Sequence, residues 1–128
     1  MNKKGILKDK SLKFAIRIVK LYQYLIKEKN EYVLSKQILR SGTSVGAMIR
    51  EAEHSESKAD FIHKMAIAQK EINETLYWLE LLYETKYLEL LEYNSLNDDA
   101  IELIKMITGS IKTTKKNLTT NNLPLTTI

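Results

Sequence analysis

The sequence predicts an all-α fold, an antiparallel up-down four-helix bundle, and three observations carry that expectation. Apolar residues recur at spacings of 3 and 4 through four separate segments, the rhythm of a helix face. The chain of 128 residues holds only 4 glycines and 1 proline, too few for the turns of a sandwich or barrel. The links between the segments are short and polar, as in up-down bundles. A chain of this length buries about two-thirds of its unfolded surface in one core, so one domain suffices. The expected organisation is a basic N-terminal segment over 1–10, the bundle over 11–117 and a flexible C-terminal tail over 118–128.

Ser11 is a candidate cap for a first helix running to Glu28. That helix carries two apolar seams, Phe14, Ile18, Leu21, Leu25 and Leu12, Ala15, Val19, Tyr22, Ile26. Two seams imply two or more neighbours, either within the bundle or in a second protomer. Lys29-Asn30-Glu31 is a polar break. The second helix, over 34–54, has a seam of Leu34, Ile38, Ser41, Val45, Met48 and Ala52, with Gly42 and Gly46 one turn apart. A helix-interior glycine costs about 1 kcal/mol relative to alanine, so the pair calls for close approach of another backbone. The third helix, over 58–85, repeats Phe61, Met65, Ala68, Ile72, Thr75, Leu79 and Leu82 in heptads. The fourth, over 97–117, begins at a capping Asn97 with Asp98, Asp99 and Glu102 in its first turn. Its seam is Ala100, Leu103, Ile107, Ile111. The tail after Asn117 is rich in Thr and Asn and contains Pro124.

Charge is segregated along the chain. Residues 1–30 hold nine Lys/Arg against Asp9 and Glu28; residues 31–100 hold seven against thirteen acids; residues 101–128 hold four Lys against Glu102. The net charge is +4. Basic ends around an acidic middle point to a polyanion partner or to charge-complementary self-association. With no cysteine, disulfides, thiolate zinc sites, iron–sulfur clusters and a cysteine nucleophile are excluded. The basic start lacks the apolar run of a signal peptide, and no stretch reaches the length of a membrane span. The expected compartment is the cytoplasm, with no membrane partner.

The side chains offer little chemistry. A di-iron bundle needs two Glu-x-x-His motifs and two further inward carboxylates. Glu51-Ala52-Glu53-His54 supplies one, and Asp60-Phe61-Ile62-His63 a weaker second, both beside the connector between the second and third helices. Solvated histidines are the simpler reading, so no metal or other cofactor is expected. Ser41, Thr43 and Ser44 have neither a nearby histidine nor a glycine elbow; they are expected to bond back to their own helix or to line a close contact. Arg40, Glu51, Glu71 and Glu74 are candidates for interhelical ion pairs. No enzyme and no small-molecule substrate is expected.

The basic residues carry the functional expectation. Lys10, Lys13, Arg17, Lys20 and Lys27 share one side of the first helix, with Tyr24 among them as a ring for base stacking. Lys105, Lys112, Lys115 and Lys116 follow on the fourth. The two helices are neighbours in an up-down bundle, so the two sets are expected to merge into one nucleic-acid-binding surface, for RNA or RNA/DNA. The alternative is a protein–protein scaffold with no nucleic-acid role, to which tyrosines such as Tyr83, Tyr87 and Tyr93 would contribute as exposed contacts.

Two blocks resemble a known family. Gln37-Ile38-Leu39-Arg40-Ser41-Gly42-Thr43-Ser44-Val45-Gly46-Ala47 with Glu51-Ala52, and Phe61, Ile67-Ala68 and Glu74-Thr75-Leu76-Tyr77-Trp78-Leu79, look like the second and third helices of the bacterial four helix bundle protein family. That family includes proteins encoded within intervening sequences of 23S rRNA genes, and is similar to the accessory proteins of diversity-generating retroelements. The resemblance spans about residues 8–117. It departs at Met48, where an asparagine is common, at Ala52, a frequent glycine, and around Gln69-Lys70, where Gly-Ser is often seen. It implies an antiparallel four-helix bundle, often a ring-like homopentamer, with nucleic-acid binding through a basic surface, no enzymatic activity and no defined biological role.

Overall fold

The computed structural model describes residues 3–122, with side chains from 5 to 118. Four helices make up its regular structure: α1 (Lys3–Glu28), α2 (Leu34–Glu53), α3 (Lys58–Glu84) and α4 (Leu90–Asn122). Each packs against the next in the chain, and α4 returns to α1; among the described residues the diagonal pairs have no close backbone approach. Cross-helix contacts fix the directions. Lys10 pairs with Glu102 and Arg17 with Asp99, so α4 runs against α1. Ile18 faces Gly42 while Ser11 faces Gly46, so α2 also runs against α1.

The seams read from the sequence form the core. Phe14, Ile18, Leu21 and Leu25 of α1 meet Ile38, Val45 and Ala52 of α2. Met65, Ala68, Ile72, Leu79 and Leu82 of α3 and Ala100, Leu103, Ile107 and Ile111 of α4 complete it. The remaining polar core positions are partnered: the Thr75 and Ser41 hydroxyls are hydrogen-bonded across the α2–α3 contact at 2.9 Å.

Two helix starts lie earlier than the sequence suggests. Ser11 is not a cap; it is buried inside α1, and its Oγ donates to the Lys8 carbonyl at 3.0 Å. The basic segment is thus helical from Lys3 despite Gly5, because Leu7 extends the core seam by a further turn. Asn97 likewise lies inside α4, which starts at Leu90, with Leu96 buried in the core. The expected tail is helical as far as Asn122; Pro124 and the rest of the tail lie outside the described residues.

Glu31 starts α2. Its carboxylate accepts the backbone N–H groups of Val33 at 3.2 Å, Leu34 at 3.0 Å and Ser35 at 2.7 Å, donors that a helix start otherwise leaves unpaired. Asn30, at φ 53°, turns the chain out of α1 while the Glu31 N–H bonds the Leu25 carbonyl at 3.0 Å, a left-handed cap that asparagine tolerates. Burial pushes the Glu31 carboxyl up, but the three backbone bonds and Ser35 outweigh it and hold it below its ordinary 4.5. A depressed folded value means that the stabilisation is present above the unfolded value and is lost as pH falls through the folded one. Glu31→Gln should therefore lower neutral-pH stability by about 1–2 kcal/mol, the scale of a lost helix cap. It should also flatten the fall in stability below pH about 5; urea melts at several pH values check both.

Gly42 and Gly46 separate on inspection. A Cβ at Gly42 would lie 2.8 Å from Ile18 Cγ1 and 2.9 Å from its Cγ2, and a β-branched side chain cannot swing away cheaply. At Gly46 the nearest atom is Ser11 O at 3.5 Å, an ordinary contact. Gly42→Ala should cost about 1–3 kcal/mol through overpacking. Gly46→Ala should gain up to about 1 kcal/mol from helix propensity. Thermal melts of the two variants should move in opposite directions.

Candidate nucleic-acid interface

The two apolar seams of α1 have different fates. The Phe14–Leu25 seam is buried, whereas Leu12, Ile16 and Val19 are 45%, 46% and 37% exposed. Ala15, Tyr22 and Ile26 are half-buried between them and the core. An outward apolar stripe therefore runs along α1, next to the outward cations Lys13, Lys20 and Lys27.

The cations themselves divide into engaged and free. Lys10 is paired with Glu102 of α4, whose hydrogen bond and charge raise its pKa. Lys13 lies 3.1 Å from Asp9, one turn back. Arg17 Nη1 donates to Asp99 Oδ2 at 2.6 Å and Nη2 to Ser95 Oγ at 3.0 Å, so Arg17 clasps α1 to α4. Lys20 and Lys27 are exposed and have no ion pair among the described residues. Tyr24 is half-buried, and the Lys29 ammonium sits 5.9 Å from its ring centre. Arg17, Lys20 and Tyr24 line one recess of about 250 Å³ with Leu21, Leu96 and Glu92. A guanidinium, an ammonium and an aromatic ring are thereby brought to one place, as backbone-and-base recognition requires.

The α4 cations do not join them. Lys105, Lys112, Lys115 and Lys116 are exposed, but Lys105, Lys112 and Lys115 follow the row of Thr108, whose Oγ1 accepts from Gln69 Nε2 of α3 at 2.8 Å. They thus flank α3. The side of α4 that meets α1 carries Asp99 and Glu102 instead, and these acids separate the two basic sets. The expected single basic surface is interrupted by Asp99 and Glu102, which pair with Arg17 and Lys10 of α1 while staying about half exposed. The basic stripe was legible from spacing; these partners were not, because they are long-range.

The second-helix motif holds structure together. Thr43 and Ser44 donate to the Leu39 and Arg40 carbonyls at 2.7 and 2.6 Å. Arg40 reaches Glu71 at 3.3 Å and Glu74 at 2.6 Å on α3, and Trp78 Nε1 donates to Glu74 at 3.2 Å. Glu51 of the same expected set joins no ion pair among the described residues. His54 and His63 are exposed, and among the described residues no group of three or more metal-ligating side chains comes together. The expected exposure of Tyr83, Tyr87 and Tyr93 is not observed. All three pack on the core, and Tyr83 stacks on Tyr93 at 4.7 Å. Tyr77 and Tyr32 are the exposed tyrosines, at 59% and 55%. Among the described residues no helix is long and apolar enough to cross a membrane.

Fold and surface together define an all-α four-helix bundle protein with an apolar and basic outer face on its first helix. The family model described as 23S rRNA-intervening sequence protein matches residues 3–109, and the chain belongs to that family. It is similar to a protein of unknown function from the S23 ribosomal protein family of Bacteroides thetaiotaomicron VPI-5482, known from a crystal structure. The two are 57% identical with a TM-score of 0.86, over 87% of this chain and 99% of that one. No curated protein matches the chain.

Proposed function

We propose that this chain is a non-enzymatic, oligomeric, cytoplasmic nucleic-acid-binding protein that takes RNA on the outer face of α1. The observation that carries the reading is the recess in which Arg17, Lys20 and Tyr24 meet, continued along α1 by the unpaired Lys27. Arg17 keeps guanidinium hydrogens beyond those given to Asp99 and Ser95, so it can meet a phosphate without leaving its clasp. The Lys105, Lys112, Lys115 and Lys116 row is a second, separate contact line. Self-association rests on the exposed Leu12, Ile16 and Val19, which a second copy would cover, and on the ring-like homopentamer that the resemblance implies.

A second reading, a protein–protein scaffold, is favoured by the same apolar stripe if its cover is another polypeptide. Purification in mild salt separates the two. RNA binding predicts absorbance at 260 nm travelling with the protein and removed by ribonuclease. A nuclease-insensitive polypeptide partner, with no nucleic acid, would replace the RNA reading by the scaffold.

A further inference from the structure

A groove of about 730 Å³ opens at the end of the bundle where α2 gives way to α3, away from the α1 recess, and of the residues assigned to nucleic acid it shares Lys105 alone. Its floor is apolar, built from Leu7, Ile49, Ala52, Phe61, Met65 and Met106. The size is that of a small-molecule site, and two methionines give it walls that adapt to a flexible chain.

Three further observations point to an occupant. Ser55 lines the groove, and its Oγ is buried with no hydrogen-bond partner among the described residues, a state that native proteins rarely leave uncompensated. Gly109 of α4 also lines it, and a Cβ there would meet nothing within 4 Å. No neighbour among the described residues therefore demands glycine at a helix-interior site where alanine is favoured, and the missing side chain leaves the groove open. The third is charge. The neighbouring carboxylates are already neutralised, Glu53 by Lys8 at 3.7 Å and Asp60 by Lys64 at 3.3 Å. Lys58 and Lys105, which both line the groove, have no ion pair among the described residues. The start of α3 adds its positive dipole end at Lys58.

We propose that this groove binds an amphiphilic carboxylate of the fatty-acid class. The alkyl chain lies along the Leu7–Met106 floor, and the carboxylate accepts from the Lys58 and Lys105 ammonium groups and, once its side chain turns out of its buried position, from Ser55 Oγ.

The test is calorimetric titration of the full chain with monomeric dodecanoate. Saturable binding at one site per chain is expected, with a micromolar dissociation constant. Dodecyltrimethylammonium, with the same chain and the opposite charge, should bind at least tenfold more weakly, and acetate should not saturate. Gly109→Leu fills the groove from a position with free space and should weaken dodecanoate at least tenfold, with helicity and mass unchanged. Lys58→Glu combined with Lys105→Glu should do the same without touching the floor. Absence of saturation, equal binding of the cationic amphiphile, or parental affinity in either variant would overturn the proposal. A fall in oligomer mass on Gly109→Leu would also overturn it, by showing that a second copy occupies the groove.

Discussion

Leu79→Asp is expected to abolish cooperative unfolding. Leu79 has no exposed surface and sits in the α3 seam between Thr75 and Leu82, both equally buried. An aspartate there must stay charged without a partner or take up a proton, and it loses the packing of the leucine in either case. A domain of this size has only about 5–15 kcal/mol of total stability, and an unpaired buried charge consumes much of it. Ile72→Asp should behave alike. Tyr77→Asp, two residues away but 59% exposed, is the control and should retain a sharp transition. Urea melts followed by circular dichroism check all three; a sharp transition in Leu79→Asp would mean that α3 does not face the core as described.

Ile16→Glu combined with Val19→Glu should change assembly and not fold. Both side chains point outward, so the monomer loses little. A protomer interface on that stripe would have to bury two carboxylates beside each other in every contact, which costs several kcal/mol per contact. Light scattering of the parent should give a multiple of 14.8 kDa, and that of the variant should approach one chain. A parent mass of one chain at micromolar concentration would discard the oligomer.

The fold was legible because helix seams are local. Ile72, Thr75 and Leu79 are spaced 3 and 4 apart, and spacing alone names them as a face. Helix starts were less legible. Ser11 and Asn97 are good capping types, yet a helix continues through them where the seam continues, as Leu7 and Leu96 show. Nor could periodicity decide which of the two α1 seams faces inward; both repeat equally well, and the choice falls to Phe14, Ile18, Leu21 and Leu25 only through packing against α2 and α4. The candidate site was legible as a row of cations. Its modification by Asp99, Ser95 and Glu102 was not, because those residues are remote in sequence and are brought to α1 only by the return of α4. Arg17 shows the consequence. From spacing it belongs to a solvent stripe, but Arg17→Glu would set a carboxylate against Asp99 and confound loss of binding with loss of the α1–α4 clasp.

Lys20 and Lys27 are free of that complication, and they give the most direct test of RNA binding by α1. Affinity for a single-stranded RNA should be measured from low to moderate salt for the parent and for Lys20→Glu combined with Lys27→Glu. Each phosphate neutralised on a single strand adds about 0.7 to the slope of log affinity against log salt. The parent should show a steep slope. The variant should bind more weakly to all RNA sequences alike, since phosphate contacts carry little sequence information, and its slope should fall by about 1.4 per bound subunit. Parental affinity and an unchanged slope in the double variant would contradict the account and leave the α1 cations as a solvated face.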